Sequence, residues 1–311
     1  MTDTPHDGTT QDTIEPRALL SLTLEAAREA GALLREKLGG PLRVEFKGAH
    51  NDLVTDADKA SEALIAGKIR DRYPGHRILA EEGTTGAQES PYRWIIDPVD
   101  GTTNFAHAVP AFAVSIAVEH AGVLQAGVVY NPATNELFAA ARGQGASLNE
   151  SRISVSPIWR PESALIGCGT WGFTHNGRHV EVMRAFYGAT QGCRTTGAAA
   201  LDICYVACGR FELFCGPSLS AWDIAAATLI VREAGGEVTD FDGAFHALER
   251  RDILASNGAL HPFGLRVVHG EHVGKPSISS NLRALRTRMA LEVAHRAPAA
   301  VGRRVYRQVR R

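Results

Sequence analysis

Apolar side chains recur at helical spacing over residues 17–38, through Leu19, Leu20, Leu22, Ala26, Ala30, Leu33 and Leu34, and Gly39-Gly40 closes the run. A second helical pattern covers 56–73, with Ala60, Leu64, Ile65 and Ile69 on one face. Short apolar runs then predict strands at 44–46, 77–80, 93–96, 113–119, 123–130, 136–141 and 146–148, with a hairpin turn at Ala121-Gly122. The pattern changes around 151–160. Beyond it, strands at 164–167, 211–214 and 237–240 alternate with helices at 178–186, 198–208 and 224–234. Such segregated sheets and helices predict an α+β layered sandwich. The organisation that follows is a disordered leader (1–15), a first α+β half (16–150), a second α/β half (151–275) and a tail (276–311).

Composition changes this picture little in the body and much at the tail. A chain of 311 residues, 44% apolar and 22% charged, is an ordinary globular sequence with room for a large core. The net charge of -1 excludes a global pull toward nucleic acid or membrane. Residues 276–311, however, hold nine arginines and one acid, Glu292, so the rest of the chain carries an acidic excess suited to cations. The five cysteines show no metal-ligand spacing and read as reduced thiols. No run is long enough to span a membrane, and the leader lacks the regions of a signal peptide, so a cytoplasmic location is expected.

The candidate chemistry lies where apolar strands meet acids. Trp94-Ile95-Ile96 runs into Asp97-Pro98-Val99-Asp100-Gly101-Thr102-Thr103-Asn104. Pro98 cannot donate to a ladder and is expected to close the strand, which leaves Asp97 and Asp100 in a turn. There they can converge on one cation or on two adjacent ones. Oxygen ligands favour Mg²⁺, which also takes phosphate oxygens. Gly101 and Thr102 add backbone N–H groups able to approach an anion. An ordinary surface turn with Thr as a helix cap is the competing reading. Another strand runs into Glu81-Glu82, where Glu81 is the better ligand candidate and Glu82 reads as solvated. Asp223, at the start of an alanine-rich helix, fits either a ligand or an N-cap. An Asp-x-Asp nucleophile, a Gly-x-Ser-x-Gly elbow and a phosphate-binding Gly-x-x-x-x-Gly-Lys loop are all absent. Attack by a metal-activated water remains.

Together, Glu81-Glu82, residues 94–104 and residues 220–236 resemble the three signature regions of the inositol monophosphatase family, in order and spacing. Asp52-Leu53-Val54-Thr55-Asp56-Ala57-Asp58, Val128-Val129-Tyr130-Asn131-Pro132 and Gly143-Gln144-Gly145-Ala146 extend the likeness over about 18–269. The resemblance implies a five-layer αβαβα sandwich of the inositol monophosphatase/fructose-1,6-bisphosphatase type. It implies two to three Mg²⁺ ions: one on Glu81, Asp97 and the Val99 carbonyl, a second on Asp97, Asp100 and Asp223, and a weaker third near Glu81. It further implies Asp58 and Thr102 as the couple that orients water, and Gly101 and Thr102 amides as the phosphate cradle. Gly197 and Ala199 match pocket positions, Thr103 belongs with the inositol branch, and Lys47 is either a lysine beside the metals or an exposed one. Lithium sensitivity and dimers are common among relatives, so a homodimer is open.

One departure concerns the substrate. The family's ring-binding acid, seven residues before the Trp-Asp aspartate, is here Gly216. Losing a hydroxyl–carboxylate bond there costs about 1–3 kcal/mol of recognition. The expected activity is therefore hydrolysis of inositol monophosphate or a similar small polyol or sugar phosphate. Histidinol phosphate and fructose 1,6-bisphosphate stay open as alternatives. A different class of function, an interaction or regulatory protein of the same fold, would use the basic tail against nucleic acid, anionic lipid or a protein.

Overall fold

The computed structural model describes residues 13–47, 53–87, 89–169, 178–244, 248 and 250–271. The expectations for most of the leader, for Asp52 and for the basic tail lie outside them.

The chain opens with helix α1 (Pro16–Lys37), whose Leu19, Ala26, Ala27, Ala30 and Leu34 are buried. A two-stranded ribbon, β1 (Val44–Phe46) with β2 (Leu53–Thr55), leads into α2 (Asp56–Arg72). Thr55 caps α2 and Asp58 returns a carboxylate to the Thr55 N–H at 2.9 Å, a reciprocal capping box. The buried face of α2 is Ala57, Asp58, Ser61, Ile65, Ala66 and Ile69, rotated slightly from the apolar stripe because it includes two polar residues that the site uses.

Next come β3 (Arg77–Ala80), β4 (Thr84–Gly86), β5 (Tyr92–Asp100), the short α3 (Thr102–Ala106), β6 (Ala113–His120), β7 (Val123–Asn131), β8 (Glu136–Ala141), β9 (Ala146–Leu148) and β10 (Ser151–Ile153). These strands form an eight-stranded sheet in the order β10-β9-β8-β7-β6-β5-β3-β4, antiparallel except for the β3/β5 pair. Ala121 and Gly122 turn the β6–β7 hairpin with φ of +48° and +78°. Positive φ at both central residues matches the twist of the flanking strands.

The second sheet is built from β11 (Leu165–Cys168), α4 (Arg178–Ala189), β12 (Gly192–Arg194), α5 (Ala199–Ala207), β13 (Leu213–Gly216), α6 (Ala221–Glu233), β14 (Glu237–Thr239), β15 (Ile253–Ser256) and α7 (His261–Val268). Its order is β12-β11-β13-β15-β14. α1 and α2 cover the outer face of the first sheet, α5 and α6 fill the space between sheets, and α4 and α7 cover the far face of the second. The result is the five-layer αβαβα sandwich.

Two buried clusters follow from that layering. One lies beneath α1 and α2 around Trp94, Phe105 and Phe112. The other surrounds α5 and α6. The alanine run of α6 explains how closely that helix approaches the first sheet: a Cβ on Gly127 would sit 2.9 Å from the Ala226 carbonyl oxygen. Only glycine in β7 and small residues in α6 allow this contact, and it fixes the N-terminus of α6 over the sheet.

Candidate active site

The acids meet at the C-terminal end of β5. Contrary to the sequence expectation, Pro98 does not close that strand. β5 continues to Asp100, and the register against β6 shifts between Asp97 (opposite Ser115) and Asp100 (opposite Ala113). One extra residue on β5 makes a bulge, which tolerates the missing proline N–H and re-aims the side chains. The Pro98 carbonyl accepts from Ser61 Oγ of α2 at 3.0 Å, and Asp97 Oδ1 accepts from the Val99 N–H at 3.0 Å. The bulge is thus held from both sides.

Three neighbours bring the other acids to this point. Glu81 follows β3, and its N–H donates to the Ile96 carbonyl at 3.2 Å, beside Asp97. Asp223 stands in the first turn of α6. It is not the N-cap: Ser220 is, and Asp223 accepts from the Ser220 N–H at 2.7 Å. Ser115, opposite Asp97, donates to the Trp222 carbonyl at 3.2 Å and ties that helix end to β6. Asp100 receives the Ala199 and Ala200 N–H groups at 3.0 and 2.8 Å, at the N-terminus of α5. The first sheet and helix α6 therefore deliver acids to one place.

Electrostatics mark these carboxylates as unusual. Burial, with the charges of Glu81, Asp100 and Asp223 added, holds the Asp97 carboxyl well above the ordinary range. Burial and Asp223 do the same to Asp100, against the two α5 amides that favour its charge. Burial pushes Asp223 up to about 7. Buried like charges of this density need protons or a cation.

Lys47 supplies one positive charge. The residue as a whole is exposed, yet its side chain is only 21% exposed and reaches Glu81 at 2.9 Å and also Glu82. Burial opposes its charge, but the hydrogen bonds to Glu82 and then Glu81 prevail and hold its pKa above the usual lysine range. Glu82 is consequently not a solvated loop acid: its carboxylate pairs with Lys47, and its N–H donates to Glu62 at 2.9 Å.

Among the described residues, no three acidic, His or Cys side chains close into a finished metal cage. Lys47 engages Glu81, the α5 amides engage Asp100, and Ser220 engages Asp223. The donor set itself fits a hard divalent cation, because four carboxylates with raised or shared charge converge beside a backbone carbonyl.

Next to the acids, Thr102 Oγ1 donates to Asp58 Oδ1 at 2.9 Å and lies 3.1 Å from the Val99 carbonyl. Asp58 is fully buried, and burial raises its pKa against hydrogen bonds from Thr55 and Thr102. Gly101 takes φ of +87°, and a Cβ there would meet the Ala111 and Gly197 carbonyl oxygens at 3.0 and 3.1 Å. Gly197, at φ +89°, has equally little room, because Asn104 Nδ2 would lie 2.9 Å from its Cβ. Asn104 bridges the halves by donating to the Ala111 and Thr196 carbonyls.

A single cavity of about 310 Å³ is lined by every sequence-derived site residue except Asp58, which is hydrogen-bonded to the lining Thr102. Gly216 does not line it. A Cβ on Gly216 would fall 2.6 Å from Phe214 Cε1 and 2.7 Å from Leu219 Cδ1, so the position has no room for a carboxylate without displacing those side chains. The polar wall residues that sequence reasoning missed include Asp202, Ser218 and Arg251. Asp202 is pushed up to about 7 by burial, although Thr196 hydrogen-bonds to it. The acid in the first turn of α5 was a readable signal for Asp202, whereas nothing local marked Arg251.

Comparison with known proteins agrees with this geometry. Residues 15–272 match the inositol monophosphatase family. An inositol-1-monophosphatase of Mesorhizobium japonicum is 42% identical over 256 residues, covering 81% of this chain and 96% of that protein. The Nus factor SuhB of Pseudomonas aeruginosa is 44% identical over 249 residues, covering 77% and 91%. Among solved structures, the extragenic suppressor protein suhB of Bartonella henselae superposes with a TM-score of 0.78 at 39% identity, covering 81% of this chain and 98% of that one. An IMPase/NADP phosphatase complexed with Mg²⁺ and phosphate superposes with a TM-score of 0.73 at 25% identity, covering 81% and 95%.

Proposed function

The chain belongs to the inositol monophosphatase family, and from that premise we propose that it is a Mg²⁺-dependent phosphomonoesterase for a small polyol or sugar phosphate. The observation that carries this reading is the convergence of Glu81, Asp97, Asp100 and Asp223 on one cavity beside Gly101 and Thr102. Glu81, Asp97 and the Val99 carbonyl would hold one cation; Asp97, Asp100 and Asp223 would hold another, with a third near Glu81. Such ions supply Lewis-acid polarisation of the phosphoryl group and lower the pKa of water. The solved relative complexed with Mg²⁺ and phosphate supports the choice of cation.

This chain's own groups do the rest. Gly101, without a Cβ, lets the backbone at the start of α3 come close to a phosphate, and Thr103, Gly197 and Ala199 border the bound molecule. Thr102, held by Asp58, presents its oxygen lone pairs to the attacking water and accepts its proton as its own proton settles on Asp58 Oδ1. The raised pKa of Asp58 suits that role. Inhibition by millimolar lithium belongs to the same reading.

Phosphate release from a panel of small phosphomonoesters, with Mg²⁺ and then with EDTA, tests it. Release that needs the cation supports the proposal, and no release from any substrate overturns it. A second reading is favoured by the relative named a Nus factor: an additional interaction role, with the arginines of 276–311 contacting nucleic acid, anionic lipid or a protein. Deleting 276–311 should then abolish salt-dependent binding and leave turnover intact. A cytoplasmic site of action agrees with five free cysteines and with no helix, among the described residues, long and apolar enough to cross a membrane.

A further inference from the structure

Two basic residues line the cavity, and they differ in what they are bound to. Lys47 is committed to Glu81 and Glu82. Arg251 makes one side-chain hydrogen bond among the described residues, from Nη2 to the Ser218 carbonyl at 3.2 Å. A guanidinium carries five N–H donors in a planar fork, so most of its capacity is left for something else. Its neighbour Arg250 is spent on two acids, Asp240 at 3.0 Å and Asp242 at 3.3 Å. Among the described residues Arg251 forms no ion pair.

Its position is also fixed. The Arg251 carbonyl accepts from the Leu219 N–H at 2.7 Å, and Asp252 Oδ1 accepts from the Ser218 N–H at 3.0 Å. These bonds clamp the loop 217–219 onto residues 251–252. Ser218 pays a strain for it, with φ of +56° in the left-handed region at a cavity-lining position. Two acids lie near this loop, yet among the described residues neither forms an ion pair with Arg251: Asp252 Oδ1 accepts from the Ser218 N–H, and Asp223, which feels the Arg251 charge, accepts from the Ser220 N–H. Gly216 is packed shut by Phe214 and Leu219, and the Asp202 carboxylate is buried against Thr196. The cavity therefore sets, beside acids suited to cations, a guanidinium whose donors are largely unused.

We propose that Arg251, set by the Ser218 loop, is an anion subsite for the alcohol portion of the substrate, so that the preferred substrate is a phosphomonoester with a second negatively charged group. This rests on the phosphomonoesterase reading above. The shared chemistry is an oxyanion taken by a guanidinium fork, and either a carboxylate or a second phosphate supplies it.

Two matched pairs test it: glycerol 2-phosphate against 2-phosphoglycerate, and fructose 1-phosphate against fructose 1,6-bisphosphate. The wild type should favour the second member of at least one pair in kcat/KM, and which pair shows the effect tells carboxylate from phosphate. R251Q should raise KM for that member about tenfold, as expected for loss of a charged hydrogen bond. The partner with a single anionic group should change less than twofold, and R251K should recover part of the loss. Equal changes for both members of a pair would mean that Arg251 only holds the loop, and the proposal falls. So would a wild type that shows no preference. Calorimetric binding of the same four compounds gives an arm that does not depend on turnover. If nothing is hydrolysed, the phosphomonoesterase reading fails, while a tenfold preference for the ligands with two anionic groups that R251Q abolishes would still uphold the subsite.

Discussion

At the acidic part of the cavity each functional side chain is anchored in or beside regular structure, whereas the part of the wall that holds Ser218 and Arg251 is built from loops. Asp97 and Asp100 sit on either side of a β5 bulge, Glu81 directly follows β3, and Asp58 and Asp223 occupy equivalent places in two capping boxes. Ser218, between β13 and α6, and Arg251, between β14 and β15, by contrast belong to loops and are held by a few hydrogen bonds. The difference separates chemistry from selectivity. Burial and packing hold the first set in one geometry, and loops can exchange residues without disturbing it.

The largest effect should come from breaking the acidic end. Asp97→Asn should cut Mg²⁺-dependent phosphate release by about 10³-fold, since several kcal/mol of cation-assisted stabilisation are lost. The metal-free variant should melt no lower than the wild type in calorimetry, because one of several crowded buried carboxylates is gone. A variant that is active, or one that is unfolded, would contradict the account. Thr102→Ala should come next, with a loss of about 10²-fold in kcat and little change in cation affinity. An equal loss of cation affinity would place Thr102 among the ligands instead.

Smaller effects sharpen the comparison through pH. Asp223 has a folded pKa raised to about 7, so its contribution to stability is present at low pH and is lost as pH rises through that value. A bound cation removes the repulsion that causes the loss. Mg²⁺ should therefore raise the melting temperature more at pH 8 than at pH 6, and a pH-independent gain would count against a carboxylate site. Asp202 follows the same sign, because its pKa is also raised to about 7 by burial. Wild-type stability should decline between about pH 4 and 7 relative to Asp202→Asn, by roughly 2–4 kcal/mol in total. Parallel stability curves, measured with Mg²⁺ saturating, would show that burial does not raise the Asp202 pKa.

Much of this was legible in the sequence, for a physical reason. Strand periodicity running into acids located Asp97, Asp100 and Glu81, and the Gly-Thr that follows located the start of α3. The proline in 97–100 misled, because its missing donor predicts a strand end while a bulge meets the same constraint within the strand. The N-cap reading of Asp223 failed because the helix begins at Ala221, three residues before the expected start, and Ser220 takes the cap. Glu82 and Lys47 were ambiguous because their pairing joins residues 35 apart, which no local pattern encodes. Short strands such as β4, β10, β12 and β15 were missed because three or four residues carry too little periodicity. Arg251 was invisible for a related reason, since its place in the wall depends on how loop 217–219 folds back.

The central claim is that a divalent cation held by the acids of the β5 bulge is required for turnover. Calorimetric titration of the wild type and Asp97→Asn with Mg²⁺, alongside phosphate release over the same concentrations, tests it most directly. The account expects saturable binding in the wild type, with a midpoint that coincides with activation, and neither binding nor activation in the variant. Turnover that persists in EDTA, or activation that survives in Asp97→Asn, would contradict it.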